Sequence, residues 1–122
     1  MAKIISFTDL EAWREGHKLV LEIYKLTATF PKEESFCLTS QIRRAAVSVT
    51  SNIAEGFSRR SYKDKIHFYF MALGSVTELQ NQLLVSRDLS YISRDKFMRL
   101  SEISIKVHKL LNGLIKSSRK RV

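Results

Sequence analysis

The sequence predicts an all-α chain folded as an antiparallel, up-down-up-down four-helix bundle. Three observations carry this reading. Four segments place apolar residues at steps of three and four, the spacing that lines one face of a helix. Only 4 glycines and 1 proline are present, which leaves little material for turns and makes helices the natural consequence. The connections between the segments are short, so consecutive helices must run antiparallel. A chain of 122 residues, 44% hydrophobic, has the size of one domain and enough apolar material for a core. No strand pattern, internal repeat or low-complexity linker divides it, so residues 1–122 read as a single domain.

The first helix is expected over about residues 9–30. Leu10, Trp13, His17, Val20, Tyr24 and Thr27 form a seven-residue repeat, the mark of helices packed nearly parallel. Thr8 is placed to cap it, with Glu11 reaching back in a capping box. Phe30-Pro31 ends it, because the residue before proline is pushed out of the helical region. Residues 31–37 form a short connection. The second helix, about 38–57, turns Leu38, Ile42, Ala45, Val49 and Ile53 inward. Ala45, Ala46, Ser48, Ser51 and Ala54 keep its side chains short, so a neighbouring helix can approach closely. Gly56 is expected to end it in the left-handed conformation. A tight turn at Ser58–Arg60 follows. Ser61 then caps a third helix, about 62–89 and roughly 40 Å long, with Asp64 at its third position. Its stripe is Ile66, Tyr69, Leu73, Val76, Gln80 and Leu83. After a turn at Ser90–Ser93, Ser93 caps a fourth helix, about 94–117, with Asp95 near its positive end. Phe97, Leu100, Ile103, Val107, Leu110 and Leu114 form its stripe. Residues 118–122 are a basic tail.

Apolar residues cover more of the first and third helices than one bundle interior requires. A helix that is greasy on two sides buries the second somewhere, and another copy of the chain is the economical answer. Scattered surface hydrophobes are the plainer alternative.

Lys and Arg number 21 against 12 Asp and Glu, a formal net charge of +9 with a pI near 9.9. Such an excess attracts polyanions, and nucleic acid is the commonest intracellular one; the alternative is that the charge serves solubility. No apolar run reaches the roughly 18 residues of a membrane span, and the start shows no secretory pattern, so cytoplasmic residence is expected. Cys37, the lone cysteine, excludes an intrachain disulfide and reads as a semi-buried residue of an interhelical turn. A di-iron centre would need paired Glu-x-x-His motifs, and the chain offers only Asp64-x-x-His67. His17 reads as a core or interface residue. With no phosphate-loop or dinucleotide motif either, no metal, cofactor or enzymatic activity is expected.

The candidate nucleic-acid contacts are therefore basic. Arg43 and Arg44, adjacent on the second helix, point about 100 degrees apart and cannot both face the core. Arg59, Arg60 and Lys63, with Lys65, mark the far end of that helix, where Phe57 and Tyr62 are placed to stack on unpaired bases. Arg119, Lys120 and Arg121 form a separate basic candidate in the tail. The alternative for the arginines is pairing with Glu55, Glu78 or a neighbouring subunit's carboxylate. Asn52 and Glu55 are read as structural, anchoring the turn after Gly56, with Glu78 and Gln82 as their opposite numbers.

Three stretches carry a family resemblance: Ser40-Gln41-Ile42-Arg43-Arg44-Ala45, Ser51-Asn52-Ile53-Ala54-Glu55-Gly56 and Ala72-Leu73-Gly74-Ser75-Val76-Thr77-Glu78-Leu79. With Phe7-x-Asp9-Leu10-x-x-Trp13 and Leu111-Asn112-Gly113-Leu114-Ile115-Lys116, the chain resembles the four-helix-bundle proteins encoded in 23S rRNA intervening sequences. That resemblance implies a homopentamer. It also implies a likeness in shape to accessory proteins of diversity-generating retroelements, which assist a reverse transcriptase and bind nucleic acid. The function it suggests is non-enzymatic nucleic-acid binding, RNA favoured, with a protein-interaction scaffold as the alternative. Thr50 stands where the family commonly has proline; threonine restores the backbone donor and permits a straighter helix.

Overall fold

The computed structural model describes residues 3–122, and four helices account for most of them. They are α1 (Glu11–Thr27), α2 (Leu38–Ser58), α3 (Tyr62–Asp88) and α4 (Arg94–Arg119). α1 packs on α2 and α4, and α3 packs on α2 and α4, with no diagonal pair among the described residues. This is the predicted up-down-up-down bundle. It places the end of α2, the start of α3 and the end of α4 at one extremity, with the start of α1.

The entry to α1 differs from the expectation. Ser6, not Thr8, begins the structure: its hydroxyl accepts from the Thr8 amide at 3.2 Å, over a single 3-10 turn at Phe7–Asp9. Asp9 reaches back to accept from the amides of Ile5 and Ser6, both at 2.9 Å, and those two donors hold its carboxyl below the usual range. This earlier box satisfies the free amides, so Leu10 precedes α1 with extended backbone and no side-chain cap. α1 then ends at Thr27, before the predicted residue 30. Thr29 donates to the Leu26 carbonyl at 2.8 Å as the chain turns towards Pro31.

The buried stripe of α1 is Ala12, Gly16, Leu19, Ile23 and Leu26, one position earlier than predicted, while Thr27 is buried as expected. One position is about 100 degrees of rotation. Gly16 is the reason. A β-carbon there would lie 3.1 Å from the γ-methyl of Thr50, so α1 seats its thinnest point on α2. Trp13 and Val20 turn to the half-buried margin. His17 lies outside the core, exposed and stacked flat on Trp13 at 4.7 Å. Cys37, expected to be semi-buried, is exposed.

α2 buries Ile42, Ala45, Val49 and Ile53 as predicted, and passes Thr50 unbroken, with its hydroxyl donating to the Val47 carbonyl at 3.1 Å. Gly56 does not take the left-handed conformation; no glycine among the described residues does. It is buried within α2, where a β-carbon would meet the Tyr69 ring at 2.6 and 2.9 Å. Its purpose is close approach of α3.

The other two predicted caps are present. Ser61 accepts from the Asp64 amide at 3.1 Å and Ser93 from the Lys96 amide at 3.2 Å. α3 closes on Ser90, at φ 62, with the Tyr91 amide donating back to Ser86 and the Ser90 amide to Arg87, both at 2.9 Å. This closure usually falls to glycine. Tyr91 then donates to Glu34 at 2.9 Å, tying this turn to the α1–α2 connection. On α4 the buried line passes from Leu100, Ile103 and Val107 to Leu111 and Ile115, leaving Leu110 and Leu114 half-buried. A strict seven-residue repeat drifts in this way around a straight helix.

A packing glycine and an exposed one separate cleanly in experiment. Gly56→Ala is expected to lower the unfolding free energy by about 1–3 kcal/mol through overpacking against Tyr69. Gly74→Ala, on an exposed position with no atom in reach, should raise it by up to about 1 kcal/mol through helix propensity. Urea unfolding of the two variants checks both signs.

Candidate nucleic-acid interface

Where α2 ends, its last carbonyls have no partners within the helix. Lys65, one turn into α3, supplies them: its ammonium donates to the Phe57 carbonyl at 2.6 Å and lies 3.5 Å from that of Gly56. Partial burial there pushes its pKa below the usual lysine value. Lys65 is thus a structural staple of the α2–α3 turn. Arg59 takes extended backbone, its guanidinium 3.6 Å from Glu55 and 4.4 Å from the Phe68 ring centroid. Arg60 and Lys63 are exposed and, among the described residues, have no carboxylate within ion-pair distance.

α4 returns to this same end. The Arg119 guanidinium lies 5.4 Å from the Phe70 ring centroid, and that of Arg121 lies 5.6 Å from Tyr62, the first residue of α3. The structure therefore sets the tail, read from sequence as a separate candidate, beside the α2–α3 turn. Arg59, Arg60, Lys63, Lys116, Arg119, Lys120 and Arg121 face Glu55 and Asp64 as the acids of these segments. Along the α1–α4 seam acids and bases are paired. Glu15 meets Lys106 at 2.7 Å and Glu22 meets Arg99 at 2.8 Å, closing the α1–α4 seam.

Tyr69 underlies this end. Burial, with Tyr62 adding to it, pushes its phenol up to about 12.

Arg43 and Arg44 lie near the opposite end of α2, roughly 25 Å away. Arg43 is locked in place. Its Nε donates to the Thr27 hydroxyl at 2.7 Å, and its guanidinium sits 4.6 Å over the Tyr24 ring. It closes the C-terminal turn of α1, where positive charge is favoured. Arg44 is exposed and lines an open groove of about 610 Å³ with Tyr24, Phe36, Thr39, Arg43 and Val47.

The polar residues read as anchors make other bonds. Asn52 donates to the Ser48 carbonyl at 2.9 Å and lies 3.1 Å from the Ser48 hydroxyl. Glu55 is exposed beside Arg59, and Glu78 accepts from Gln82 at 3.2 Å on its own helix. The bonds that hold the turn come from Lys65 and Ser61. Among the described residues, no three His, Cys, Asp or Glu side chains are grouped as metal ligands. No helix among them is long and apolar enough to cross a membrane.

Fold and site together define a four-helix bundle with one basic, aromatic-backed end. The family described as 23S rRNA-intervening sequence protein matches residues 8–113, and the chain belongs to it. Its fold is similar to the 1.70 Å crystal structure of a protein of unknown function from the S23 ribosomal protein family of Bacteroides thetaiotaomicron. The two share 25% identity and a TM-score of 0.80, over 86% of this chain and 95% of the other. No curated protein matches the chain.

Two expectations follow from the site's chemistry. Arg43→Lys should cost about 1 kcal/mol of stability, since a lysine cannot both donate in plane to Thr27 and cover Tyr24, while Arg44→Ala should change stability by less than about 0.5 kcal/mol; urea unfolding separates them. For Tyr69, the folded value lies above the unfolded value near 10. Its contribution is fully present below pH 10 and is lost as pH rises through about 12. Unfolding free energies from pH 9 to 12 should therefore fall more steeply for the parent protein than for Tyr69→Phe.

Proposed function

We propose that the protein is a non-enzymatic, homo-oligomeric four-helix bundle, a pentamer by its family likeness, that binds nucleic acid, RNA in preference, through basic surfaces. The observation that carries this reading is the concentration of exposed cations where the α2–α3 turn meets the end of α4. A net charge of +9 adds a long-range attraction for any polyanion. The family's description, which names the 23S rRNA intervening sequence, supports RNA over DNA. Self-association is supported by apolar side chains left at the surface: Leu21 and Tyr24 on α1, and Phe70, Met71, Leu84 and Val85 on α3. Repetition around a ring multiplies a patch that is modest on one protomer.

A second reading, a protein-interaction scaffold, is favoured by one observation. Phe36 is 96% exposed beside the groove lined by Tyr24 and Val47, an apolar surface suited to a protein partner.

Filter binding of a structured RNA across a salt series distinguishes the two. The nucleic-acid reading predicts binding that weakens steeply and linearly in log salt. Absent or salt-insensitive binding at low ionic strength, with a protein partner surviving nuclease treatment in pull-downs, supports the scaffold. Light scattering of the same preparation should give a closed oligomer, and a stable monomer at high concentration would contradict the oligomeric part.

A further inference from the structure

We infer that the α2–α3 turn and the C-terminal segment form one composite surface for the phosphate backbone of double-helical RNA. This rests on the nucleic-acid reading above and names the form of nucleic acid that the site takes. The family match ends at residue 113, so Arg119, Lys120 and Arg121 lie outside it.

The first argument is placement. Arg60 and Lys63 on one side, and Arg119, Lys120 and Arg121 on the other, come from segments far apart in sequence but adjacent in space. The contact of Arg121 with Tyr62 spans the two directly, and that of Arg119 with Phe70 holds the end of α4 along α3. Both contacts bias the tail towards the turn before any ligand arrives.

The second argument concerns the rings. Single-strand binders offer aromatic faces on which bases stack. At this end the rings already carry cations of the chain: Lys65 at 5.3 Å from the Phe57 centroid, Arg59 on Phe68, Arg119 on Phe70, and both Lys65 and Arg121 on Tyr62. A stacking base would have to displace a guanidinium or ammonium group. Phe68, Phe70 and Tyr62 instead back the exposed Arg59, Arg119 and Arg121 as a charged sheet, while Lys65 is spent on the backbone. Such a sheet suits a ligand whose phosphates are dense and whose bases are already stacked on one another. A duplex meets both conditions and is read by its shape and backbone.

The test uses the full chain and two RNAs of equal length, one a blunt duplex of about 20 base pairs and one a single strand of the same sequence as one duplex arm. Variants are Arg59→Ala/Arg60→Ala/Lys63→Ala at the turn, Arg119→Ala/Lys120→Ala/Arg121→Ala in the tail, and Lys18→Ala/Lys25→Ala/Lys32→Ala as a control with the same change in charge. Circular dichroism melting verifies that each is folded, and Lys65 is left in place. The parent protein should prefer the duplex. Either site variant should weaken duplex binding at unchanged stoichiometry and lower the slope of log affinity against log salt by about 3, while the control stays near the parent. Three results overturn the inference: equal or tighter binding of the single strand, a site variant that halves the RNA bound per protomer at unchanged affinity, or a control as impaired as the site variants. A parent protein that binds neither RNA overturns the nucleic-acid reading itself.

Discussion

The close seating of α3 on α2 at Gly56 is the constraint on which the rest of the structure depends. There the Tyr69 ring occupies the space that any side chain at position 56 would fill. Farther along the same pair, Ser48 and Ser75 hydroxyls meet at 2.8 Å, and Ala45, Ala46 and Ala72 keep the surfaces thin. Fixing this pair fixes where α3 begins, and through Lys65 it fixes how α2 ends. The antiparallel register of α4 on α3 then follows, with Gln80 donating to Ser104 at 3.1 Å and Arg87 over the Phe97 ring. Continued to the end of the helices, that register sets Arg119 and Arg121 beside Phe70 and Tyr62.

Charge is distributed unevenly over this frame. The α1–α4 seam carries acids on one helix and bases on the other, and Glu11, Glu15 and Glu22 are matched there by Lys106 and Arg99. These are partly exposed pairs, worth little individually to stability. The α2–α3 turn and the end of α4, by contrast, carry only Glu55 and Asp64 as acids against a larger number of lysines and arginines.

The four helices and both serine caps were legible in the sequence, because periodicity and a serine with an acid in the following turn are local signals. The inward face of α1 was not. Counting large apolar residues favours Trp13 and Val20, and it is blind to a glycine whose value lies in what it lacks. The same blindness assigned Gly56 to helix termination when its role is packing. The cap at Ser6 went unread because a one-turn box preceding a helix leaves no periodic trace. The meeting of tail and turn was within reach: in an antiparallel pair of nearly equal length, the start of α3 and the end of α4 must coincide. What could not be read was the pairing of each cation with a ring, which depends on side-chain direction.

The central claim is that two basic segments distant in sequence share one end of the bundle. A paramagnetic label on a cysteine placed at Lys120, with Cys37 replaced by serine, tests it most directly through the broadening of backbone amide resonances. The structure predicts strong broadening of amides 59–65 and none of amides 38–44 at the far end of α2. Unbroadened resonances at 59–65, or broadening concentrated at 38–44, would contradict it.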